Sequence, residues 1–441
     1  MFAAFARAFR TPDLRKKLLF TLGIMALFRL GSQMPTPGVS YPLVQACLAN
    51  SQATGGADKS GLLSMANLFS GGALLQLSVF ALGIMPYITA SIIVQLLTVV
   101  IPRFEALKEE GQAGQTKMTQ YTRYLTIGLA ILQSSTLVTF ARNPSALFGA
   151  GCDNILVDSS MATIVIMVLT MTAGTGLIMW FGELVTDKGV GNGMSLLIFL
   201  SIASAFPGSL WQIKQNNGWG TFVGVMFLGF FIIAAVVYVE QSMRRIPVQY
   251  AKRMVGRKTY GGTSTYIPLK VNMANVIPVI FASSLLALPT LATQFSIKPD
   301  GTGPGWAMWV RDNFQGGDTV VYAATYAGLI LFFTFFYVSI TFNPIEVADN
   351  MKKYGGFIPG IRAGRPTAEY LRYVLNRITV VGAIYLTVVS LIPLVALVLI
   401  GANQNFPFGG VSIIIIVGVG LETVKQIEAQ LEQRHYEGFL R

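Results

Sequence analysis

The chain has little charge and few of the side chains that enzymes use for catalysis. Asp, Glu, Lys and Arg make up 12% of its 441 residues, whereas soluble domains carry about 25%. It has one histidine, His435, and two cysteines. It contains no His-Glu-x-x-His, no Cys-x-x-Cys and no Gly-x-x-x-x-Gly-Lys-Ser/Thr motif. These absences argue against an enzyme, and they indicate no metal or other cofactor.

Ionisable residues are also scarce inside the apolar runs. Arg29 is the only one that lies well within a predicted membrane span, near its outer end, where snorkelling or pairing with a neighbour is the expected role. Transporters driven by ions generally carry such groups along their pathway. A secondary transporter for a small solute is therefore kept as the alternative function, and this absence disfavours it.

Long apolar runs dominate the sequence, which is 53% hydrophobic with a mean hydropathy of +0.58. A spanning helix needs roughly 20 mostly apolar residues. The fifth run is short, with Pro207 at its end. The runs predict an all-α polytopic membrane protein with ten spanning helices, at 18–34, 77–101, 121–140, 161–181, 190–206, 219–240, 271–292, 319–341, 375–400 and 410–425.

The basic residues fix the predicted topology. The positive-inside rule places both termini in the cytoplasm, and it explains the net charge of +12 without DNA or RNA as a partner. Segment 1–17 is either an amphipathic helix on the membrane surface or a frayed basic tail, and residues 426–441 form a cytoplasmic tail. Most of the 32 Lys and Arg residues then lie inside, and the outer loops hold only Lys59, Arg142, Lys214, Lys298 and Arg311.

Ten helices divide into two sets of five, 18–207 and 208–425. Because five is odd, two similar halves would have opposite orientations in the membrane, which is the geometry of an inverted repeat. The prediction of two pseudo-symmetric inverted halves rests on this parity alone.

One charge-free stretch, 67–102, has the form of a broken helix. It reads as a short half-helix at 67–72 followed by an apolar helix at 77–101 that carries Pro86 inside it. Broken apolar segments are typical of binding or conduction sites in polytopic membrane proteins.

Two long basic loops face the cytoplasm, within 241–270 and 342–374. The first alternates polar and apolar residues around a Gly-Gly pair and predicts a projecting hairpin. The simpler role of such loops is to set topology and contact anionic lipids. Their length and their aromatic and β-branched content favour a docking surface for a partner.

Two smaller features remain. The run Gly-Val-Gly-Asn-Gly at 189–193 does not complete a dinucleotide fingerprint and favours a tight turn with close helix packing. Cys47 and Cys152 both fall in outer loops, on the oxidising side of the membrane. A disulfide between them and two unpaired thiols stay open as alternatives.

Several well-separated motifs together resemble the SecY family of protein-conducting channel subunits, in its bacterial form, over essentially the full chain. They are NLFSGGALLQLSVFALGIMPYITASIIVQLLTVVIP (67–102), EEGQAGQTKMTQYTRY (109–124), GVGNGMSLLIF (189–199), RRIPVQYAKRMVGRKTYGGTSTYIPLKVNMANVIPVIFASS (244–284), FNPIEVADNMKKYGGFIPGIRAGRPT (342–367) and YEGFL (436–440).

The resemblance implies a clamshell of two halves around an hourglass pore, sealed at its waist by aliphatic side chains. Met194 departs from the isoleucine expected at its position, and its flexible thioether should preserve the seal. Carried over by the motifs, the pore ring is Ile84, Ile88, Met194, Ile198, Ile280 and Ile415.

The resemblance also implies a re-entrant plug at 62–74 and a gate that opens sideways to lipid. The plug centres on Asn67, Phe69, Ser70, Gly71 and Gly72. The gate lies between helices two and three on one side and seven and eight on the other. Its predicted polar residues are Gln133 in helix three and Asn272 and Asn275 in helix seven, for which ordinary hydrogen bonding between helices is the alternative.

The partners implied by the resemblance are SecE and SecG within the membrane and the SecA ATPase and the ribosome on the cytoplasmic face. The substrates would be signal sequences and secretory polypeptides. The implied location is the bacterial plasma membrane, whose lipids would surround the chain. The implied docking residues are Arg244, Arg245, Lys252, Arg253, Arg257, Lys258 and Arg362.

Overall fold

A computed structural model describes residues 9, 11–54, 70–142, 155–158, 160–250, 253–255, 258–260, 264–296, 303–314, 319–400 and 410–437. The described part is mainly helical, as predicted. Its helices are α1 (Pro12–Gln33), α2 (Tyr41–Thr54), α3 (Met85–Val100), α4 (Pro102–Glu109), α5 (Gln112–Arg142), α6 (Met161–Lys188), α7 (Gly193–Gln241), α8 (Ile277–Ser296), α9 (Gly305–Phe314), α10 (Val320–Thr341), α11 (Pro344–Lys353), α12 (Arg365–Ile400) and α13 (Gly410–Glu437).

Each predicted span overlaps one of these helices, and the protein is a multi-pass membrane protein. Within the described ranges, five helices are long and apolar enough to cross a membrane, or up to six if a bent pair counts as one span. That pair is α3 and α4, which meet at a 103° bend. The count of ten therefore stays a prediction.

The second predicted helix begins later than the sequence indicated. Residues 70–84 form successive turns, and α3 starts only at Met85. Gly83 and Leu77 have positive φ angles of 55° and 48°, which a helix cannot contain. Pro86 lies in the first turn of α3, where its missing N–H costs no hydrogen bond. The prediction that Pro86 lies inside a helix from residue 77 was wrong.

The fifth and sixth predicted helices also differ from the prediction. They form one long element, α7, which breaks at Gly218 (φ 81°) into Gly193–Gln215 and Gly218–Gln241. Pro207 lies inside the first part instead of ending it. Membrane helices tolerate an internal proline because neighbouring groups can satisfy the freed backbone carbonyl. The fifth helix is therefore longer than predicted.

The hairpin predicted in the first of the two long basic loops is confirmed. Strands β1 (Met243–Tyr250) and β4 (Ser264–Lys270) pair antiparallel, and β2 (Arg253–Val255) pairs with β3 (Lys258–Tyr260). The second long basic loop adds β5 (Gly356–Phe357) to the other edge of β1. The inner side chains Ile246, Val248 and Leu269 are buried in one cluster with residues of α11 and α12. The two loops thus form a single folded unit.

The turn between α6 and α7 is tight, as predicted from its glycines. Gly191 has φ 86°, and the Asn192 side chain accepts hydrogen bonds from the backbone N–H groups of Met194 and Ser195. A Cβ atom at Gly193 would collide with the Gly182 carbonyl oxygen. The first turn of α7 therefore packs directly on the backbone of α6.

Candidate functional site

A cavity of about 240 Å³ lies where α3, α8, α13 and the first turns of α7 converge. Both polar and apolar side chains line it. The polar ones come from α3 and the start of α7: Tyr87, Ser91, Gln95, Asn192 and Ser195. The remaining wall residues, from all four helices, are aliphatic, aromatic or methionine.

Five of the six predicted ring residues line this cavity: Ile88, Met194, Ile198, Ile280 and Ile415. Ile84 lies outside its wall. Ile84 precedes the first residue of α3 and is 2% exposed. All six belong to one apolar cluster or pack against it. Positions far apart in the sequence thus meet at one place.

Local sequence explains how these side chains reach the cavity. Pro86 lies in the first turn of α3, directly before the wall residues Tyr87 and Ile88, and the i, i+4 spacing of Ile88 and Ile92 puts both on one face. At the start of α7, Asn192 caps the helix. Gly182 of α6 leaves the space that the Met194 sulfur occupies, since a Cβ there would collide with it. The absence of a side chain at Gly182 thus leaves room for the Met194 side chain.

The predicted plug is only partly described. Asn67 and Phe69 lie outside the described residues, whereas Ser70, Gly71 and Gly72 form turns. The buried Ser70 hydroxyl oxygen accepts a hydrogen bond from the Leu74 N–H at 3.0 Å. Gly71 has φ 67°, and a Cβ there would lie 3.2 Å from the Ser201 Cα atom. This part of the segment therefore packs on α7 in a backbone conformation that suits glycine.

The C-terminal end of α1 and the residues just after it are hydrogen-bonded to residues 71–79. Arg29 Nη1 donates a hydrogen bond to the Gly71 carbonyl oxygen at 2.8 Å. The Thr36 N–H and hydroxyl both donate to the Leu77 carbonyl, at 3.1 and 2.7 Å. The Val79 N–H donates to the Met34 carbonyl at 2.9 Å. Pairing with a neighbour, one of the two roles expected for Arg29, is what the structure shows.

Two of the three predicted gate residues do not lie in a helix. Asn272 and Asn275 precede α8, which begins at Ile277 and not at 271, and Asn275 has φ 50°. Such a left-handed residue, which Asn tolerates well, ends any helix that would run through it. Gln133 is half-buried within α5. In the described part of the chain, Asn272 bonds to Glu240 and to the Asn275 carbonyl, not to Gln133.

The predicted docking residues lie on and near the cytoplasmic sheet. Arg244 and Arg245 are exposed on β1, and the Arg245 guanidinium lies 4.9 Å from the centre of the Tyr266 ring. Arg253 is on β2, Lys258 is on β3, and Arg362 is exposed in the second loop. Lys252 and Arg257 lie outside the described residues.

Cys47 is buried in α2 and is disulfide-bonded. Cys152 lies outside the described residues, so its pairing with Cys47 stays a prediction. The backbone nearby agrees with that pairing, since the Ser40 N–H donates to the Ile155 carbonyl at 2.9 Å.

Sequence reasoning missed two polar pairs. Arg123 Nε and Nη2 donate to the two carboxylate oxygens of Glu183, at 2.9 and 2.7 Å, and join α5 to α6. Asn272 Nδ2 donates to Glu240 Oε1 at 2.6 Å. Arg123 is the third residue of the third predicted helix, and Glu240 is the last residue of the sixth. Helical spacing alone does not reveal such a pair, because its partners are distant in sequence.

Comparison with known proteins gives the same family at every level. The family model described as SecY matches residues 78–424. The protein translocase subunit SecY of Streptomyces griseus is 65% identical over 449 residues, and those of Micrococcus luteus and Mycobacterium tuberculosis are each 58% identical. Each alignment covers 100% of both chains.

Solved structures share the fold at much lower identity. A protein-conducting channel superposes with a TM-score of 0.61 at 16% identity. The channel of the canine ribosome–channel complex from the endoplasmic reticulum superposes with a TM-score of 0.57 at 15% identity. Each covers 94% of this chain and 91% of its own. With the full-length sequence matches, the helical architecture and the meeting of the motif residues around one cavity, these findings show that the chain belongs to the SecY family.

Proposed function

We propose that this chain is the central channel subunit of the bacterial protein translocase. It moves unfolded secretory proteins across the plasma membrane and releases membrane proteins sideways into the lipid. The observation that carries the proposal is the meeting of Ile88, Met194, Ile198, Ile280 and Ile415 at one cavity. The full-length relatives, which are protein translocase subunits, support it.

An aliphatic waist suits a substrate that has no fixed sequence. A passing chain presents every kind of side chain, so a site that formed directional hydrogen bonds would hold some of them and stall. Methyl groups fit around the chain without such bonds. A hydrophobic constriction also blocks water and ions by dewetting when no chain is present.

The composition of the cavity wall supports a gate in the same place. α3 contributes Ile88 and Ile92 and α8 contributes Ile277 and Ile280, so both helices line the cavity. A signal sequence is an apolar helix that could bind between them and lipid. By binding the open state more tightly than the closed state, it would shift the equilibrium toward opening.

The partners and the location follow from the same proposal. SecE and SecG complete the membrane complex, and both termini lie in the cytoplasm. SecA or a translating ribosome supplies direction by docking on the cytoplasmic sheet, since the sequence has no nucleotide-binding motif of its own. Signal sequences and secretory polypeptides are the substrates. The transporter alternative gains no support from the relatives named above.

The direct test is reconstitution of the purified complex in vesicles with SecA, ATP and a secretory precursor. We expect precursor that is protected from external protease, in an amount that depends on ATP and on an intact signal sequence. Uptake of a small solute without any protected precursor would overturn the proposal.

A substitution at the waist tests the seal. Ile280→Ser replaces a buried aliphatic side chain on the cavity wall with a polar one, which weakens dewetting. We expect a clear rise in ion conductance across planar bilayers. Leu285→Ser is the matched control, because Leu285 lies on the same helix with its side chain exposed. Equal conductance in the two variants would refute the assignment of Ile280.

A further inference from the structure

A buried polar group lies beneath the base of the cytoplasmic hairpin. Glu240 is in the last turn of α7 and is 8% exposed, and Asn272 follows β4 and is 2% exposed. The 2.6 Å hydrogen bond from Asn272 Nδ2 to Glu240 Oε1 joins the chain entering the hairpin to the chain leaving it. Burying a carboxylate is costly unless it is hydrogen-bonded, so this contact is a specific one.

The same amide also holds the turn that leads into α8. Its second hydrogen bond runs from Asn272 Nδ2 to the Asn275 carbonyl oxygen at 3.2 Å. Asn275 has φ 50°, and α8 begins two residues later. The side-chain amide oxygen of Asn272, Oδ1, has no hydrogen-bond partner within the described structure. The side chain therefore serves as a double donor, a role that neither Asp nor Leu could fill.

The surrounding backbone leaves this linker little freedom. The Val271 N–H donates to the Ser242 carbonyl at 3.1 Å and closes the base of the sheet. On the other side, a Cβ atom at Gly382 of α12 would lie 2.5 Å from the Val271 carbonyl oxygen. Lys270 and Lys425 lie close enough to Glu240 to attract its charge. The hairpin base, α8 and α12 thus meet at one rigid joint.

We propose that Asn272 is a positioning residue that couples the cytoplasmic sheet to the first turn of α8. A displacement of β1 and β4 by a docked partner pulls on Asn272 and so on the Asn275 turn. The start of α8 carries Ile277 and Ile280 into the cavity wall. The joint therefore passes a force from the docking surface to the seal. This inference rests on the proposed channel function.

The test uses the full chain copurified with its membrane partners and reconstituted in planar bilayers. Ribosomes stalled on a secretory chain serve as the docking partner. Two quantities are measured for each variant: ribosome affinity, by cosedimentation with vesicles, and ribosome-dependent channel opening, by conductance. For Asn272→Leu, we expect unchanged affinity and an opening equilibrium reduced at least tenfold, equivalent to about 1.4 kcal/mol.

Glu240→Gln is the conservative partner variant. Its amide oxygen can still accept the hydrogen bond from Asn272, so opening should stay within about threefold of the parent protein. If Asn272→Leu does not accumulate in the membrane, Asn272→Ser takes its place, since serine fits the space and offers only one donor.

The outcomes separate the inference from the function on which it rests. Normal opening in both Asn272 variants would overturn the coupling. A loss of affinity in step with the loss of opening would also overturn it, because Asn272 would then only support the fold of the docking surface. A parent channel that never opens with ribosomes would instead contradict the proposed function.

Discussion

Arg29 shows how a single charge can be held within an apolar helix. Its guanidinium is half-buried in α1 and donates to a backbone carbonyl, that of Gly71. Hydrogen bonds from an ionised donor are among the strongest in proteins. Gly71 belongs to the segment assigned to the plug, so we infer that Arg29 keeps the end of that segment against α1 and α7.

Replacing Arg29 should loosen this contact. Arg29→Leu removes the donor, which contributes about 1.5–3 kcal/mol when charged. We expect the resting channel to open roughly tenfold more often in single-channel recordings without partners. Arg142→Leu, at the exposed outer end of α5, serves as the control and should not differ from the parent. A resting conductance of Arg29→Leu equal to that of the control would contradict this role.

Individual residues were predictable to very different degrees. The ring positions were carried over by motif, and five of them meet at the cavity. Composition alone could not have selected them, since most aliphatic residues of a membrane helix face lipid or other helices. The partner of Arg29 was not predictable, because a backbone carbonyl has no sequence signature. The same holds for Asn272, whose partner lies beyond a whole hairpin.

At the scale of elements, the crossing of α6 and α7 depends on two glycines. The Gly182 backbone occupies the space that a side chain at Gly193 would need. The Met194 sulfur occupies the space that a side chain at Gly182 would need. Small residues of this kind let membrane helices approach closely and gain packing energy. Met194, which we propose as part of the seal, is therefore positioned by the contact between these helices.

An alanine scan of glycines tests this crossing. Gly193→Ala drives a Cβ into a backbone carbonyl that cannot rotate away, and overpacking of this kind costs about 1–3 kcal/mol. We expect a lower midpoint of thermal unfolding in detergent. Gly176→Ala is the matched control, because no atom lies within 4 Å of a Cβ placed there. The control should be neutral or slightly stabilised, and equal midpoints for the two variants would refute the close contact.

Helices were predicted well as spans and poorly at their ends. Hydropathy identifies an apolar run but not the residue at which the helix starts within it. Residues 77–84 and 271–276 carry no charge, so the predicted helices were started within them, although both segments are turns or irregular structure. Both prolines were misplaced by the prediction. Pro86 was expected inside a helix but lies in its first turn, and Pro207 was expected at the end of a helix but lies inside one. Local sequence does not say which neighbours satisfy the backbone.

For the whole molecule, the two long basic loops form one surface. The hairpin β1–β4 and the strand β5 from the second loop form a three-stranded sheet packed on α11 and α12. The hairpin was foreseen from alternating residues around a Gly-Gly pair. The third strand was not, because a two-residue strand carries no recognisable pattern. A partner that binds the sheet thereby contacts segments that lead to both α8 and α12.

Charge reversal in the second loop should affect docking alone. Arg362 is exposed, and its carbonyl oxygen accepts a hydrogen bond from the Thr367 hydroxyl at 2.8 Å. We expect Arg362→Glu to leave membrane insertion intact and to abolish SecA-driven translocation, because guanidinium recognition of carboxylate or phosphate becomes repulsion. Arg311→Glu, on α9 of the predicted outer face, should translocate normally. Full translocation by Arg362→Glu would refute its role in docking.

The pairing of β5 with β1 also constrains the order in which the protein can mature. Gln249 and Tyr250 leave the ribosome long before their partners Phe357 and Gly356, and α8 and α10 are synthesised between them. The edge of β1 stays unpaired until β5 has been synthesised. We infer that the three-stranded sheet is complete only after α8, which carries Ile280, has been made. On the proposed function, a half-made channel would lack the surface that recruits a partner.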